Sequence, residues 1–377
     1  SGTVRVFRDD EKLRMVFRAM HDNLRPNGLH IPFADTRSPR GPNTQLVEVA
    51  LKYYPDLYEG KFPTIMGDRN PTSFAVFELD AEQMAKHKEY AIAETLFPQW
   101  KAAMLRHGSG PDAAVLALGF QHSGTHMQTD SLNIYYSAGD HAMLGDQGYI
   151  SDAPMNYWIQ TTESHNLVIV DDMKQQWPSR TTSLRQMLTS PIASLVEAES
   201  NAYGQCETYR RMLVLIKGPG GATFAVDVFR VKGGDRHDWR AFSEVAASDA
   251  VGTARTFTDI DMPAEPELPN FGGSVEREHI FGLRDTQAVK NPPRHWSATW
   301  KQDDRQYRLH MIADANSVEA SNGPGQEDES QTARRVRYID VIREGRDLSS
   351  TFIAVHEPSV GASSLPIRRN TPLEVSK

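Results

Sequence analysis

The segment His122-Ser123-Gly124-Thr125-His126-Met127-Gln128-Thr129-Asp130-Ser131-Leu132-Asn133-Ile134-Tyr135-Tyr136-Ser137 decides how the chain is read. It ends in a run, Leu132 to Ser137, rich in the residues that favour strands. His122, His126, Gln128 and Asp130 stand an even number of residues apart, so on an extended strand they project to one face. That face holds two imidazoles, an amide and a carboxylate. A first reading is a metal site, since His and Asp are common zinc ligands; no compact ligand motif is present, so the donors must converge from separate strands. A second is proton transfer, because His and Tyr act as general acids and bases. The plain reading is a polar sheet edge whose groups satisfy one another.

Downstream, short β-type runs recur. They include Ala114 to Phe120, Leu167 to Val170, Ile192 to Ala198, Arg211 to Ile216, Thr223 to Val231, Trp296 to Trp300, Tyr307 to Ile312, Val336 to Ile342 and Thr351 to Val355. Turn residues bound many of them and no long helical pattern intervenes, which predicts a large antiparallel β-sandwich over 111–377. Asn316 to Thr332 is polar and acidic and reads as an exposed loop, as does Pro263 to Gly273. Upstream, 1–110 reads as helix and loop. Helical spacing is found over Glu11 to Leu24, over Thr44 to Leu51, and after Asp80. A loop as long as Ile31 to Asn43 is usually functional or docked on a neighbour. About three helices with such loops do not close a bundle, so the segment reads as part of a larger helical domain. Ser1 to Asp10 has neither a start methionine nor a signal-peptide apolar core, and reads as the middle of something.

At 377 residues the chain has room for two domains or three. No run approaches the roughly 18 apolar residues of a membrane helix. Cys206 is the sole cysteine, so no intrachain disulfide can form. The 41 Lys and Arg against 49 Asp and Glu give a net charge of −8, which argues against nucleic-acid or anionic-membrane binding through bulk charge.

Three pieces of text resemble the β-domain of heparinase II/III-type polysaccharide lyases: His126-Met127-Gln128-Thr129-Asp130-Ser131-Leu132, Leu144-Gly145-Asp146-Gln147-Gly148-Tyr149, and Ser164-His165-Asn166-Leu167-Val168-Ile169-Val170-Asp171. Weaker landmarks are Arg25-Pro26-Asn27-Gly28 to Phe33-Ala34-Asp35, Gly233 to Asp238, and Ser350 to Pro358. The resemblance implies the last helices of an incomplete (α/α) toroid over 1–110, followed by the β-sandwich. It implies β-elimination on an anionic, uronate-containing polysaccharide bound between the two. It implies a periplasmic or secreted protein, with the upstream toroid segment or a second copy as further partners. By the same resemblance His126 matches a catalytic histidine that faces the cleft. Asp146 and His165 match two zinc ligands, and Gln128 stands where the family has the third, a histidine. Glutamine is the poorer zinc ligand. Three arrangements follow: His126 or His122 substitutes, the site is weak, or hydrogen bonds replace the metal. The family's principal catalytic tyrosine lies upstream of the matched text, counted back to before Ser1; Tyr149 and Tyr157 are the candidates within this chain.

Other residues carry less. Arg210 and Arg211 are candidate carboxylate or sulfate binders through forked hydrogen bonds, as is the Arg334, Arg335, Arg337 group. Trp158, Trp177, Trp239, Trp296 and Trp300 offer stacking surfaces, with core packing the default. A competing function is a non-catalytic carbohydrate-binding or assembly module of the same fold. A glycoside hydrolase ranks last, since no pair of acids flanks a cleft-like motif.

Overall fold

The computed structural model describes residues 7, 9–36, 41–88, 91–110, 113–121, 126, 128–139, 141–150, 156–176, 181–218, 222–245, 257–258, 283–302, 304–325 and 334–360. His122, Trp177 and the Pro263 to Gly273 segment lie outside them.

Among the described residues helices come first: α1 (Glu11–Asp22), α2 (Thr44–Tyr53), α3 (Pro55–Tyr58), α4 (Phe62–Met66), α5 (Ser73–Glu78) and α6 (Ala81–Ala85). Their starts have chemical causes. Asp10, Asn43, Thr72 and Asp80 accept backbone N–H groups of the first turns of α1, α2, α5 and α6. Proline opens α3 and α4, where its missing N–H costs nothing. The helices gather around Phe17, Leu24, Val47, Leu51, Tyr58 and Ile65.

The strands are β1 (Thr95–Phe97), β2 (Ala102–His107), β3 (Ala114–Gly119), β4 (Asn133–Ala138) and β5 (His141–Leu144). After a short helix α7 (Asn156–Ile159) come β6 (Val168–Val170), β7 (Thr182–Thr189), β8 (Ala193–Ser200), β9 (Thr208–Lys217), β10 (Thr223–Lys232) and β11 (Arg236–Ser243). The last are β12 (Phe257–Thr258), β13 (Arg284–Lys290), β14 (His295–Gln302), β15 (Arg305–Ile312), β16 (Ser317–Pro324), β17 (Arg335–Glu344) and β18 (Ser349–Val360). One sheet runs β1-β2-β3-β4-β5-β11-β17-β16-β13, with β6 also on β11; the other runs β12-β14-β15-β18-β10-β9-β8-β7. Neighbouring strands pair antiparallel in both. Leu116, Ile134, Tyr136 and Trp239 from the first sheet meet Leu213, Phe229, Trp300 and Phe352 from the second in one core. In β9 the alternation is plain: Tyr209, Arg211, Leu213 and Leu215 point in, while Arg210, Met212, Val214 and Ile216 are half-buried on the outer face. The expected antiparallel sandwich is therefore present.

Two expectations need correction. Strand begins before residue 110: β1 and β2 already belong to the first sheet. Ala102-Ala103-Met104-Leu105 shows no alternation because both of its faces are covered. Ala103 and Leu105 enter the sandwich core, while Ala102 and Met104 pack beneath Ile31 and Phe33. The first part of the loop expected over Asn316 to Thr332 is instead β16, paired along its length with β17, and 326–332 lie outside the described residues. Its Val318 and Ala320 are buried, and Ser321 bonds Thr286 at 2.8 Å, so small residues carry the alternation among polar ones.

Candidate functional site

The site forms where the segment after α1 crosses the first sheet. Arg25 N–H donates to the Leu29 carbonyl at 2.7 Å, closing a turn through Gly28. Gly28 is required there: its φ is +77°, and an added Cβ would lie 2.7 Å from Ile65 Cα. Ile31 and Phe33 then lie fully buried against Ala102, Met104, Val115, Ala117 and Tyr135 on the outer face of β2, β3 and β4. Arg25 donates to the Tyr135 hydroxyl at 2.8 Å beside them. The crossing ends in Ala34, held at φ +56°, and Asp35.

This crossing grips three places in the sandwich. The Asp35 carboxylate lies 3.0 Å from His126 Nδ1, and Asp35 N–H donates to the His126 carbonyl at 3.3 Å. The Gln128 amide donates to the Ala34 carbonyl at 3.2 Å. Gly148, at φ +62°, packs so closely that an added Cβ would meet the Thr36 carbonyl oxygen at 2.2 Å.

Beneath the grip lies a buried polar cluster of Gln128, Asp130, Asp146 and His165. Gln128 Nε2 also donates to the Gly148 carbonyl at 2.7 Å. Two carbonyl acceptors fix which end of the amide is nitrogen, so Oε1 faces His165 Nε2 at 2.8 Å. His165 Nδ1 lies 2.7 Å from the Thr161 carbonyl, an acceptor, so it carries a proton. Asp146 accepts from Asn133 Nδ2 at 2.7 Å and from Gly148 N–H at 2.8 Å. Burial, reinforced by the neighbouring Asp130, pushes the Asp146 carboxyl well above its usual range. One donor atom from each of Asp130, Asp146 and His165 lies within 4.8 Å of the others.

Such a cluster has two chemically sound states. In one, hydrogen bonds alone hold the cluster, with both ring nitrogens of His165 facing carbonyl oxygens. In the other, Asp130, Asp146, Gln128 Oε1 and His165 Nε2 would hold a divalent cation, with Nδ1 anchored on a carbonyl as metal-bound histidines usually are. The donors fit a cation: two carboxylates, one imidazole nitrogen and one amide oxygen converge in a protected space. That set is richer in oxygen than a typical structural zinc site.

The sequence-predicted residues separate into groups. Gln128, Asp146 and His165 converge as expected, joined by Asp130 and by Asn133 behind Asp146. His126 does not share a strand face with Gln128 and Asp130. It sits in a left-handed turn at φ +62° with its side chain 82% exposed, while the other two are buried. Tyr149 is half-buried next to Gly148, and Tyr157 is exposed on α7. Arg211 is not a substrate binder. It is fully enclosed between the sheets, where Nε and NH2 hold the Asp227 carboxylate at 2.9 and 2.7 Å and NH1 donates to the Leu132 carbonyl at 2.7 Å. Burial works against ionising Asp227, but Arg211 and His356 outweigh it and hold the carboxyl at about 2. Arg210 points the other way, to the outer face of the second sheet, with Nε 3.2 Å from a Glu197 oxygen. Asp35 had no assigned role from sequence; nothing in its own neighbourhood signals a partner 91 positions along. Asp130 was visible as the next even step after Gln128.

No family model and no curated protein matches the chain. Solved structures do. A heparinase III gene product superposes with a TM-score of 0.62 at 13% identity, covering 93% of this chain and 46% of its own. A heparan sulfate lyase from Pedobacter heparinus gives 0.59 at 11% identity, covering 93% and 47%. A further heparinase III gives 0.58 at 16%, covering 93% and 49%. The chain thus has the heparinase III fold over nearly its whole length, and it spans just under half the length of those structures.

Proposed function

We propose that this chain, in which a polysaccharide-lyase-like fold is evident, belongs to an enzyme that cleaves a uronate-containing polysaccharide by β-elimination. One observation carries the reading: an exposed imidazole, His126, is pinned by Asp35 where the helical layer meets the sheet, directly above the buried Gln128, Asp130, Asp146 and His165 cluster. The likeness to heparan sulfate lyases supports it through fold alone.

The reaction demands a base, an acid and a positive environment. A base takes the proton from C5 of the uronate. The electron pair forms the C4–C5 double bond, the C4–O bond breaks, and an acid protonates the departing oxygen. His126 is assigned as a proton-transfer group at C5, and Tyr149 or Tyr157 as the group at the leaving oxygen. Developing charge on the uronate carboxylate needs cationic or hydrogen-bonding partners. The helices of the first hundred residues are read as the end of a larger helical domain that completes this cleft, with an anionic polysaccharide as substrate and a location outside the cytoplasm. Gln128, Asp130, Asp146 and His165 would hold a divalent cation, zinc or a harder ion. When bound, it would supply fixed positive charge and hold the segments that carry these four residues together. A second reading keeps the fold without the chemistry, as a carbohydrate-binding or assembly module. It is favoured by the full engagement of the Gln128 amide with two backbone carbonyls, a purely structural use.

The test is the absorbance of unsaturated uronate on heparan sulfate, hyaluronan, chondroitin, alginate and ulvan. The chain would be run alone and extended upstream. Product is expected on at least one substrate, and His126→Ala is expected to abolish it. Tight binding with no product on all five would favour the module instead.

A further inference from the structure

We infer that Asp35 is a positioning residue for His126, fixing the tautomer of its ring. This deepens the proposed function; its catalytic consequence rests on that reading, whereas the tautomer does not.

The geometry is unusual for a surface histidine. Exposed ion pairs are ordinarily mobile and worth little, because two long side chains must be held in one arrangement. Here the arrangement is imposed by backbone. Asp35 is joined to His126 twice, side chain to side chain at 3.0 Å and N–H to carbonyl at 3.3 Å. Its own position follows from Ile31 and Phe33, which are fully buried on the sheet, and from the Gln128 bond to the Ala34 carbonyl. The Asp35 side chain is only 20% exposed against 82% for His126. A rigid carboxylate therefore meets one nitrogen of an otherwise open ring.

A carboxylate accepts and does not donate, so Nδ1 must carry the proton when the imidazole is neutral. Nε2 is then the nitrogen with the lone pair. A free neutral imidazole has no such constraint from a neighbour. Fixing the proton on Nδ1 makes every neutral ring competent to accept a proton at Nε2, and it holds the ring plane relative to the sheet. The cation formed after transfer stays next to the negative charge of Asp35.

The test uses the full chain with 15N-labelled histidine and long-range proton–nitrogen correlation, with His126 assigned by the signal missing from His126→Ala. The wild type is expected to show the Nδ1–H pattern. Asp35→Asn keeps the backbone bond to His126, but its amide can donate to Nδ1 as well as accept from it, so the lock is lost and an Nε2–H pattern should appear, while Asp35→Glu should retain the wild-type form. Circular dichroism checks that each variant is folded. An Nε2–H pattern in the wild type, or an unchanged pattern in Asp35→Asn, overturns the inference. On whichever of the five polysaccharides the wild type cleaves, Asp35→Asn should lower kcat by ~10²-fold or more with KM little changed, and Asp35→Glu should recover part of it. A KM effect without a kcat effect would instead mark Asp35 as a substrate contact and sink the positioning role. A wild type inactive on all five, both alone and extended upstream, would end the lyase reading and leave the tautomer result to stand or fall alone.

Discussion

The helical layer and the sandwich differ in how deeply they place arginine–carboxylate pairs. In the helices such pairs and their lysine counterparts are at the surface, as in Arg14 with Asp56, Lys52 with Glu78 and Lys86 with Glu59. The sandwich has exposed pairs too, such as Lys232 with Glu207, but it also seals some inside: Arg211 with Asp227 and Arg240 with Asp340 have no exposed side-chain surface at all. The helical layer also leaves Met15, Val16, Val76 and Phe77 in the open, whereas the sandwich core is closed by two sheets. Exposed pairs can be rearranged at little cost. Enclosed ones fix a structure, because losing one partner strands the other without water. The candidate site lies on the seam between these regimes, with its rigid half in the sheet.

That contrast can be broken by measurement. Arg211→Met should cost about 3–5 kcal/mol in denaturant or thermal unfolding, since it abandons Asp227 and the Leu132 carbonyl inside the sandwich. A loss below about 1 kcal/mol would show that the enclosed pair is no brace. At the seam, His30 offers a smaller effect. Burial, then Arg25 and Arg69, lower its pKa from 6.5 to about 4. The unfolded chain therefore binds this proton more tightly than the native one. Its contribution is fully present above pH 6.5 and is lost as pH falls towards 4, a loss of about 3 kcal/mol. His30→Asn should flatten that part of the stability curve; an unchanged curve would place the acid response elsewhere. Least of all, Arg14→Ala should shift stability by no more than about 0.5 kcal/mol. A larger shift would mean that the helical layer too depends on its charges.

Much of the sandwich was legible because its strands have one face in and one face out. β9 keeps period two in burial through Leu215 and β10 keeps it but for Val228, and in the sequence both read as apolar, β-branched runs bounded by turn residues. β2 was hidden because both of its faces are covered, which erases the alternation. β16 was hidden for the reverse reason: its inward residues are small, and polar neighbours are buried with them. Glu319 in that strand is half-buried, and burial together with Asp340 raises its pKa, an environment no composition reveals. At the site, Gln128, Asp146 and His165 could be singled out because motif resemblance preserved their order. Arg211 was misread because a strand residue's direction depends on which face the sheet buries, and its neighbour Arg210 took the outer one. Asp35 was invisible as a partner because the contact is made through tertiary packing alone.

The first sheet has a weak join. β5 meets β11 through the single pair Leu144 and Ser243, about a hundred residues apart along the chain. The meander β7 to β10, by contrast, closes through successive hairpins within Thr182 to Lys232. Local pairing is cheap in loop entropy and therefore fast; distant pairing is slow. The meander is thus expected to form early, with the β5–β11 join among the last steps of assembly.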